Sequence, residues 1–583
     1  MSGARVFVIT DCGSTTTKAL LIERRDGVFR QTFRGEAPTT VEAPVEDVTV
    51  GVRRALRELG ERCGRRFVED DGALRRPATE TDGMDAYLST SSAGGGLQMV
   101  VAGVARRLSA DSAMRAALSA GAIVTDSIAC DDGHSAFEQI DRLRRMRPDM
   151  ILLSGGTDGG HRRGVVQLAE LIAAAMPRPR LGDNVRLPVI FAGNRDVADE
   201  VTRILSPIAD VLVEANVRPS VEQEAVDGAR DRIHELFLEH VMRQAPGFAG
   251  LMDMTDADIM PTPSAVGHML QLISARDRCN VLCVDIGGAT TDVFSVVDGR
   301  FNRTVSANLG MSYSAANVLA ETGVSNIARW VDVPEGQLLN EILNKTVRPT
   351  TIPETPQELA IEQALAREAL RLAFAQHREF SIGMKGGVTE RAIDGGFSKG
   401  MAEAVSPARL DLIIGSGGVL SHAPDALQTA AMVVDAFAPE GLTRIARDSI
   451  FMLPHLGVLS RENEQAAMDV FERDCIAELC LCVAPTGAMK RGTALSFLLR
   501  GGPGECRGSV RAGELLRVAL PPGETVALEV VPAGRLDAGA GPGRTVTRTL
   551  RAGQLGVIFD CRGRPFVPRR ADAWRALPVR DAW

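Results

Sequence analysis

At 583 residues, with 45% hydrophobic and 24% charged residues, the chain is too long for one domain and reads as a soluble globular protein, which excludes fibrous and disordered classes. Its formal net charge of −8 lacks the basic face that broad nucleic-acid binding needs, so no nucleic-acid partner is expected. The N-terminus shows no signal segment and no apolar stretch reaches the roughly 20 residues that span a bilayer, so no membrane partner is expected; with ten Cys and no disulfide framework, the protein is read as cytoplasmic.

The first predicted element is a β-hairpin. An apolar run from Val6 delivers Thr10-Asp11-Cys12-Gly13-Ser14-Thr15-Thr16-Thr17-Lys18, and Lys18–Ile22 leaves as a second strand before a turn at Asp26-Gly27. Gly lets backbone N–H groups approach an anion and hydroxyls add donors, so the turn suits phosphate; an Asp at a strand tip can hold a hydrated divalent cation or orient a water. Lys18 stands out because almost all basic residues here are Arg. Val48–Leu59 has helical apolar spacing and Ala86–Ser89 is a short strand. It ends in Ser91-Ser92-Ala93-Gly94-Gly95-Gly96, which either touches a ligand or turns into a helix over Leu97–Leu108. Strands at Ile123–Ser127, Ile151–Leu153, Pro188–Ala192 and Val211–Glu214 then alternate with helices at Phe137–Met146 and Val165–Ala175, which favours a layered α/β domain. Helical spacing returns from Val221 to Met242.

A second apolar run, Val281–Val284, delivers Asp285-Ile286-Gly287-Gly288-Ala289-Thr290-Thr291-Asp292, a hairpin of the same design. Ser154-Gly155-Gly156 follows the first copy and Gly415-Ser416-Gly417-Gly418 the second, at nearly equal separations. The chain is therefore expected to contain two related α/β halves, 1–275 and 276–500. Ile361–His377 is a long amphipathic helix. Beyond Gly501, short β-like runs at Glu514–Leu520, Thr525–Val531, Thr545–Leu550 and Leu555–Asp560 predict a small β-rich module, 501–583. Cys475, Cys480 and Cys482 match neither zinc nor ferredoxin spacing and read as small apolar residues.

No Gly-Lys dipeptide occurs, which excludes a P-loop. The paired hairpins instead resemble the actin, sugar kinase and Hsp70 superfamily over about residues 1–500. Asp11–Lys18 matches its first phosphate motif, Asp285–Asp292 its second and Ile414–Gly418 its adenosine motif. That resemblance implies an α/β fold of two ribonuclease-H-like (actin-like ATPase) halves around a nucleotide cleft, plus the C-terminal β-rich module.

A finer resemblance is to the glutamate mutase accessory protein family, called GlmL or MutL and unrelated to the mismatch-repair protein of that name. It is carried by Thr10–Lys18, Ser91–Leu97, Leu153–Gly160, Pro454–Leu459 and Cys561–Pro565. It implies an ATP-dependent chaperone that reactivates an adenosylcobalamin-dependent mutase, glutamate mutase or a related aminomutase, with ATP and Mg²⁺ as cofactors. By the same resemblance Asp11 and Asp285 are the catalytic and Mg²⁺-binding residues. Gly13, Ser14, Thr15, Thr16, Lys18, Gly287, Gly288, Thr290 and Thr291 contact phosphates, and Gly415, Ser416, Gly417 and Gly418 pack on adenosine. Two rival readings stand beside it: a small-molecule kinase, for which no positioned general base is identified, and an actin-like filament ATPase.

Overall fold

Strand β1 (Val6–Cys12) is buried along its whole length, as expected of a strand covered on both faces. It turns into β2 (Thr16–Arg25), β2 turns into β3 (Val28–Pro38), and β1 pairs in parallel with β4 (Ala86–Ser91). The helix Val48–Cys63 covers this sheet with Val48, Val52, Ala55, Leu56 and Leu59, a stripe at helical period. Asp47 caps its start by accepting from the Thr49 amide, and Gly64, at φ 71°, ends it in the left-handed conformation. A side chain at Gly35 would strike the Leu59 backbone, so the strand and helix meet backbone to backbone there.

Five further strands, β5 (Gln98–Gly103), β6 (Ile123–Ala129), β7 (Met150–Ser154), β8 (Leu187–Phe191) and β9 (Ala209–Val213), form a separate all-parallel sheet in the order β6-β5-β7-β8-β9. Counted within itself this is the doubly wound order 2-1-3-4-5. The helix expected over Leu97–Leu108 is thus strand β5. Met99, Val100, Val101 and Ala102 are all buried, and a short apolar run carries no period that separates a buried strand from a buried helix. Of the helix expected over Val221–Met242, Asp227–Leu236 is helical and 221–226 is not. The two-residue β10 (Met260–Pro261) extends the first sheet beside β4, giving the order β10-β4-β1-β2-β3. The helix Leu453–Glu462, far along the chain, packs on β4 and β1.

The second hairpin builds the same core. β11 (Val281–Ile286), β12 (Thr291–Val297) and β13 (Arg300–Ser306) form an antiparallel meander, and β11 pairs in parallel with β14 (Leu412–Ser416). β15 (Gly441–Asp448) and β16 (Ile476–Ala484) continue the sheet. The β-rich C-terminal region supplies β17 (Thr493–Gly501), β18 (Gly504–Arg511), β19 (Leu515–Ala519), β20 (Thr525–Pro532), β21 (Val546–Arg551), β22 (Gly556–Asp560) and β23 (Val579–Asp581). Four of these make the sheet β18-β17-β20-β21, while β22, β19 and β23 add to β16, giving β13-β12-β11-β14-β15-β16-β22-β19-β23. Both hairpin sheets share the order third, second, first, fourth strand, so the fold is α/β with two ribonuclease-H-like halves and a C-terminal β-rich region.

The chain divides into two units, Met1–Met269 with Ile382–Ala402 and Leu453–Arg473, and Leu270–Ser381 with Glu403–Met452 and Asp474–Trp583. The computed structural model describes residues 5–13, 15–92, 97–180, 186–237, 245–306, 308–312, 314–349, 351–382, 405–502, 504–567, 574 and 577–582. Ser14, Ala93–Gly96 and the 238–242 part of the expected helix lie outside the described residues. Among the described residues no helix is long and apolar enough to cross a membrane.

Candidate functional site

In the first unit the hairpin turn is set by its backbone. The Gly13 amide donates to the Thr16 carbonyl at 3.1 Å, and a Cβ on Gly13 would sit 2.9 Å from that oxygen, so only glycine closes this turn unstrained. Thr39 braces the turn, its hydroxyl donating to the Gly13 carbonyl at 2.8 Å and its amide to the Thr15 carbonyl at 2.9 Å. Thr15 is left exposed, Thr16 and Lys18 half-buried, and Thr17 fully buried against the Thr39 hydroxyl at 2.9 Å.

Asp11 lies at the tip of β1, 3% exposed, opposite Lys18 on β2 and Thr90 on β4. Its Oδ1 accepts from the hydroxyls of Thr90 at 2.8 Å and Thr262 at 2.6 Å, which fixes the carboxylate; Oδ2 has no partner among the described residues. Behind it, burial and then the Asp11 charge push the Cys12 thiol up to about 12, so Cys12 is a small apolar residue and no nucleophile.

The second hairpin repeats the turn bond: the Gly287 amide donates to the Thr290 carbonyl at 2.9 Å. Here the braces are Met311, Ser312 and Ser314. The Met311 amide donates to the Gly287 carbonyl at 3.0 Å, the Ser312 amide to the Gly288 carbonyl at 2.8 Å and the Ser314 hydroxyl to the Ala289 carbonyl at 2.6 Å. Thr291 is fully buried and donates its hydroxyl to the Leu309 carbonyl at 2.5 Å, whereas Thr290 is half-buried at the turn. Asp285 sits opposite Asp292, where the first hairpin has Lys18 opposite Asp11. Two facing carboxylates repel, and Arg303 offsets this by donating to Asp292 from Nε at 2.9 Å and from Nη2 at 2.7 Å.

Ser416 ends β14 directly beside Asp285. Gly417 follows at φ 99°, and a Cβ there would come within 2.9 Å of the Ile286 nitrogen and carbonyl carbon and nearer still to its oxygen, so the turn presses against the tip of β11. Gly418 is exposed, with nothing within 4 Å of where its Cβ would stand. Two buried polar groups at this edge lack hydrogen-bond partners among the described residues: Ser416 Oγ, and Nε and Nη1 of Arg447, which stands beside Gly415 on β15. Buried polar atoms are seldom left unpaired, so this edge has donors to give to an anion.

The structure revises one sequence pairing. Ser154-Gly155-Gly156 ends β7 in the all-parallel sheet, not beside Asp11. The strand that pairs with β1 as β14 pairs with β11 is β4, placing Thr90 beside Asp11 where Ser416 lies beside Asp285. The strand equivalent to β14 is therefore β4, which ends at Ser91. Thr90, Thr262, Thr39, Arg303 and Arg447 were not anticipated; of these only Thr90, at the tip of a recognisable strand, carried a sequence signal. Cys475, Cys480 and Cys482 are buried with thiols shifted up by that burial, and among the described residues no group of three His, Cys, Asp or Glu could hold a metal ion.

Comparison with known proteins matches residues 7–475 to the family described as MutL protein. Protein MutL of Clostridium tetanomorphum is 28% identical over 443 residues, covering 71% of this chain and 86% of that protein. Among solved structures, component A of (R)-2-hydroxyglutaryl-CoA dehydratase from Acidaminococcus fermentans is similar at 9% identity and TM-score 0.25, over 79% of this chain and 99% of that one. Xylulose kinase from Bifidobacterium adolescentis is similar at 11% identity and TM-score 0.28, over 80% and 92%.

Proposed function

We propose a function from one premise: the chain belongs to the MutL protein family. It is an ATP-dependent chaperone that reactivates an adenosylcobalamin-dependent mutase, glutamate mutase or a related aminomutase, by driving release of damaged cobalamin. The observation that carries the nucleotide part is the duplicated turn, with Gly13 and Gly287 making the same backbone bond and an Asp next to last in the strand before each.

The residues fit a Mg²⁺-nucleotide. Glycine closes the first turn, Thr15 and Thr16 remain accessible, Gly418 fronts open space, and Ser416 and Arg447 hold donors that no group among the described residues uses. In this reading Asp11 and Asp285 hold Mg²⁺ and the hydrolytic water. Gly13, Thr15, Thr16, Lys18, Gly287, Gly288 and Thr290 contact phosphates, Thr291 braces its turn, and Gly415–Gly418 packs on adenosine. ATP supplies the driving force of phosphoryl transfer.

Such a cycle remodels the partner only if two conformations bind it with different free energies; moving the balance from 1:99 to 99:1 takes about 5.5 kcal/mol of difference. The test is ATP turnover by the full chain with and without a cobalamin mutase holding cyanocobalamin. The proposal expects stimulation by the mutase, and a loss of about 10²-fold or more in Asp11→Asn and Asp285→Asn, since a positioned carboxylate acts mainly in the transition state. Phosphorylation of a small acceptor without mutase stimulation replaces it with the kinase reading.

A further inference from the structure

The second unit contains a cavity of about 750 Å³ between the helices Pro356–Ile382 and Ala426–Phe437 and the C-terminal region. Asp435, 2% exposed, accepts on its wall from Arg367 Nε at 2.9 Å, Arg562 Nη1 at 2.8 Å and Trp574 Nε1 at 2.9 Å. Fully buried Asp560 accepts from Arg562 Nε and Nη2, both at 2.9 Å, and from Arg564 Nη2 at 3.0 Å. Arg562 lies 4.3 Å from the Phe566 ring centroid and 5.3 Å from that of Trp574; Arg367 lies 5.6 Å from Trp330, and Trp330 lies 6.2 Å from Phe566. Arginine planes and aromatic rings thus hold each other in one fixed wall.

Three features go beyond what such a wall needs for itself. The space is a cleft open to solvent on one side, at a volume within the range of small-molecule sites. Four cations line it against two carboxylates. Asp435 on the wall and Asp560 behind it are already satisfied by Arg367, Arg562, Arg564 and Trp574, and the other lining carboxylate, Asp425, is exposed and accepts from the Leu427 amide; Lys490 and Arg491 are exposed on the cavity lining with no hydrogen-bond or ion-pair partner among the described residues.

The cavity is separate from the turn Gly415–Gly418. Gly415 pairs with Arg447 near the end of β15, whereas Val483 pairs with Phe559 and Ala484 with Gly441, which begins β15. Asp560 and the segment Cys561–Pro565 after it therefore leave the sheet at the opposite edge.

We propose that this cavity binds a small flat aromatic anion, its ring against Trp330 and Phe566 and its acid group at Lys490 and Arg491. The site is independent of the nucleotide reading. The test titrates the full chain, with Mg²⁺ and saturating ATP present, with 1-naphthyl phosphate, 1-naphthoate and uncharged 1-naphthol, following tryptophan quenching and binding heat. At least one of the two anions binds and quenches, and comparing them tells phosphate from carboxylate ligands; 1-naphthol binds about tenfold or more weakly. Lys490→Ala with Arg491→Ala weakens the anion by about tenfold or more, while the thermal midpoint stays, since both side chains are exposed. Absence of binding, equal binding of 1-naphthol, or unchanged affinity in the double variant overturns the proposal.

Discussion

Gly417 and Gly418 are adjacent, yet a methyl group should act on them in opposite ways. At Gly417 the Cβ would stand 2.9 Å from the Ile286 nitrogen and carbonyl carbon, at φ 99°. Non-bonded heavy atoms settle at about 3.5–4.0 Å and the Ile286 oxygen would be nearer still, so the β11 and β14 tips must part by about 1 Å or more, carrying Asp285 with them. The backbone conformation costs about 1–2 kcal/mol for alanine and the overpacking about 1–3 kcal/mol more. At about 2–4 °C per kcal/mol, Gly417→Ala lowers the thermal midpoint of its unit by roughly 4–20 °C, and the shifted carboxylate reduces ATP turnover by about 10²-fold. Gly418→Ala meets no neighbour and leaves the stability within about 1 kcal/mol of wild type. If adenosine packs on this turn, however, ATP affinity falls by about tenfold or more. Thermal unfolding paired with calorimetric ATP titration separates the two effects. Gly417→Ala with both quantities unchanged refutes the close approach, and Gly418→Ala with normal affinity refutes the adenosine contact.

His377 lies buried between the hydroxyls of Ser295 at 2.8 Å and Thr304 at 2.9 Å, and burial pushes its imidazole down to about 3. The unfolded chain, at about 6.5, therefore binds the extra proton between those values, and stability rises with pH across that window. Lowering pH from 7.5 to 4.5 costs about 3 kcal/mol on this account, and His377→Gln loses that share of the acid sensitivity; the same midpoint shift in both proteins contradicts it. Arg447→Met removes a cation whose Nε and Nη1 have no partner among the described residues, so the unfolding midpoint holds or rises while ATP affinity falls; a lower midpoint with normal affinity gives Arg447 a packing role instead. Thr262→Val takes one of two hydroxyl donors from Asp11, and turnover falls by about tenfold, in line with about 1.5–3 kcal/mol for a hydrogen bond to a charged group; unchanged turnover means that Asp11 needs no such fixing.

The hairpins were legible because their chemistry is local: an apolar run, one Asp and a Gly-Thr turn within about a dozen residues prescribe strand, turn and strand. What surrounds Asp11 was not. Thr90 and Thr262 are 79 and 251 positions away, and only the folded sheet brings them to the same oxygen. Sequence separation also paired the wrong Gly-rich turn with Gly415–Gly418, since Ser154-Gly155-Gly156 has the same composition but ends a strand of the all-parallel sheet. The C-terminal strands showed themselves by alternation, as in Thr525–Pro532, where buried and accessible residues alternate. Their sheet membership did not, because β22 pairs in parallel with β16 across more than seventy intervening residues. Arg303 had no local signal either, since its partner Asp292 lies on the neighbouring strand.

The most direct measurement takes an adenosylcobalamin-dependent mutase inactivated by turnover, or loaded with cyanocobalamin, and adds this protein with ATP, Mg²⁺ and fresh adenosylcobalamin. Glutamate mutase and related aminomutases are each tried. The account predicts that mutase activity returns with wild-type protein and ATP, and does not return when ATP is omitted or Asp11→Ala is used. Activity that stays lost across all the mutases, or returns equally without ATP or with Asp11→Ala, contradicts it.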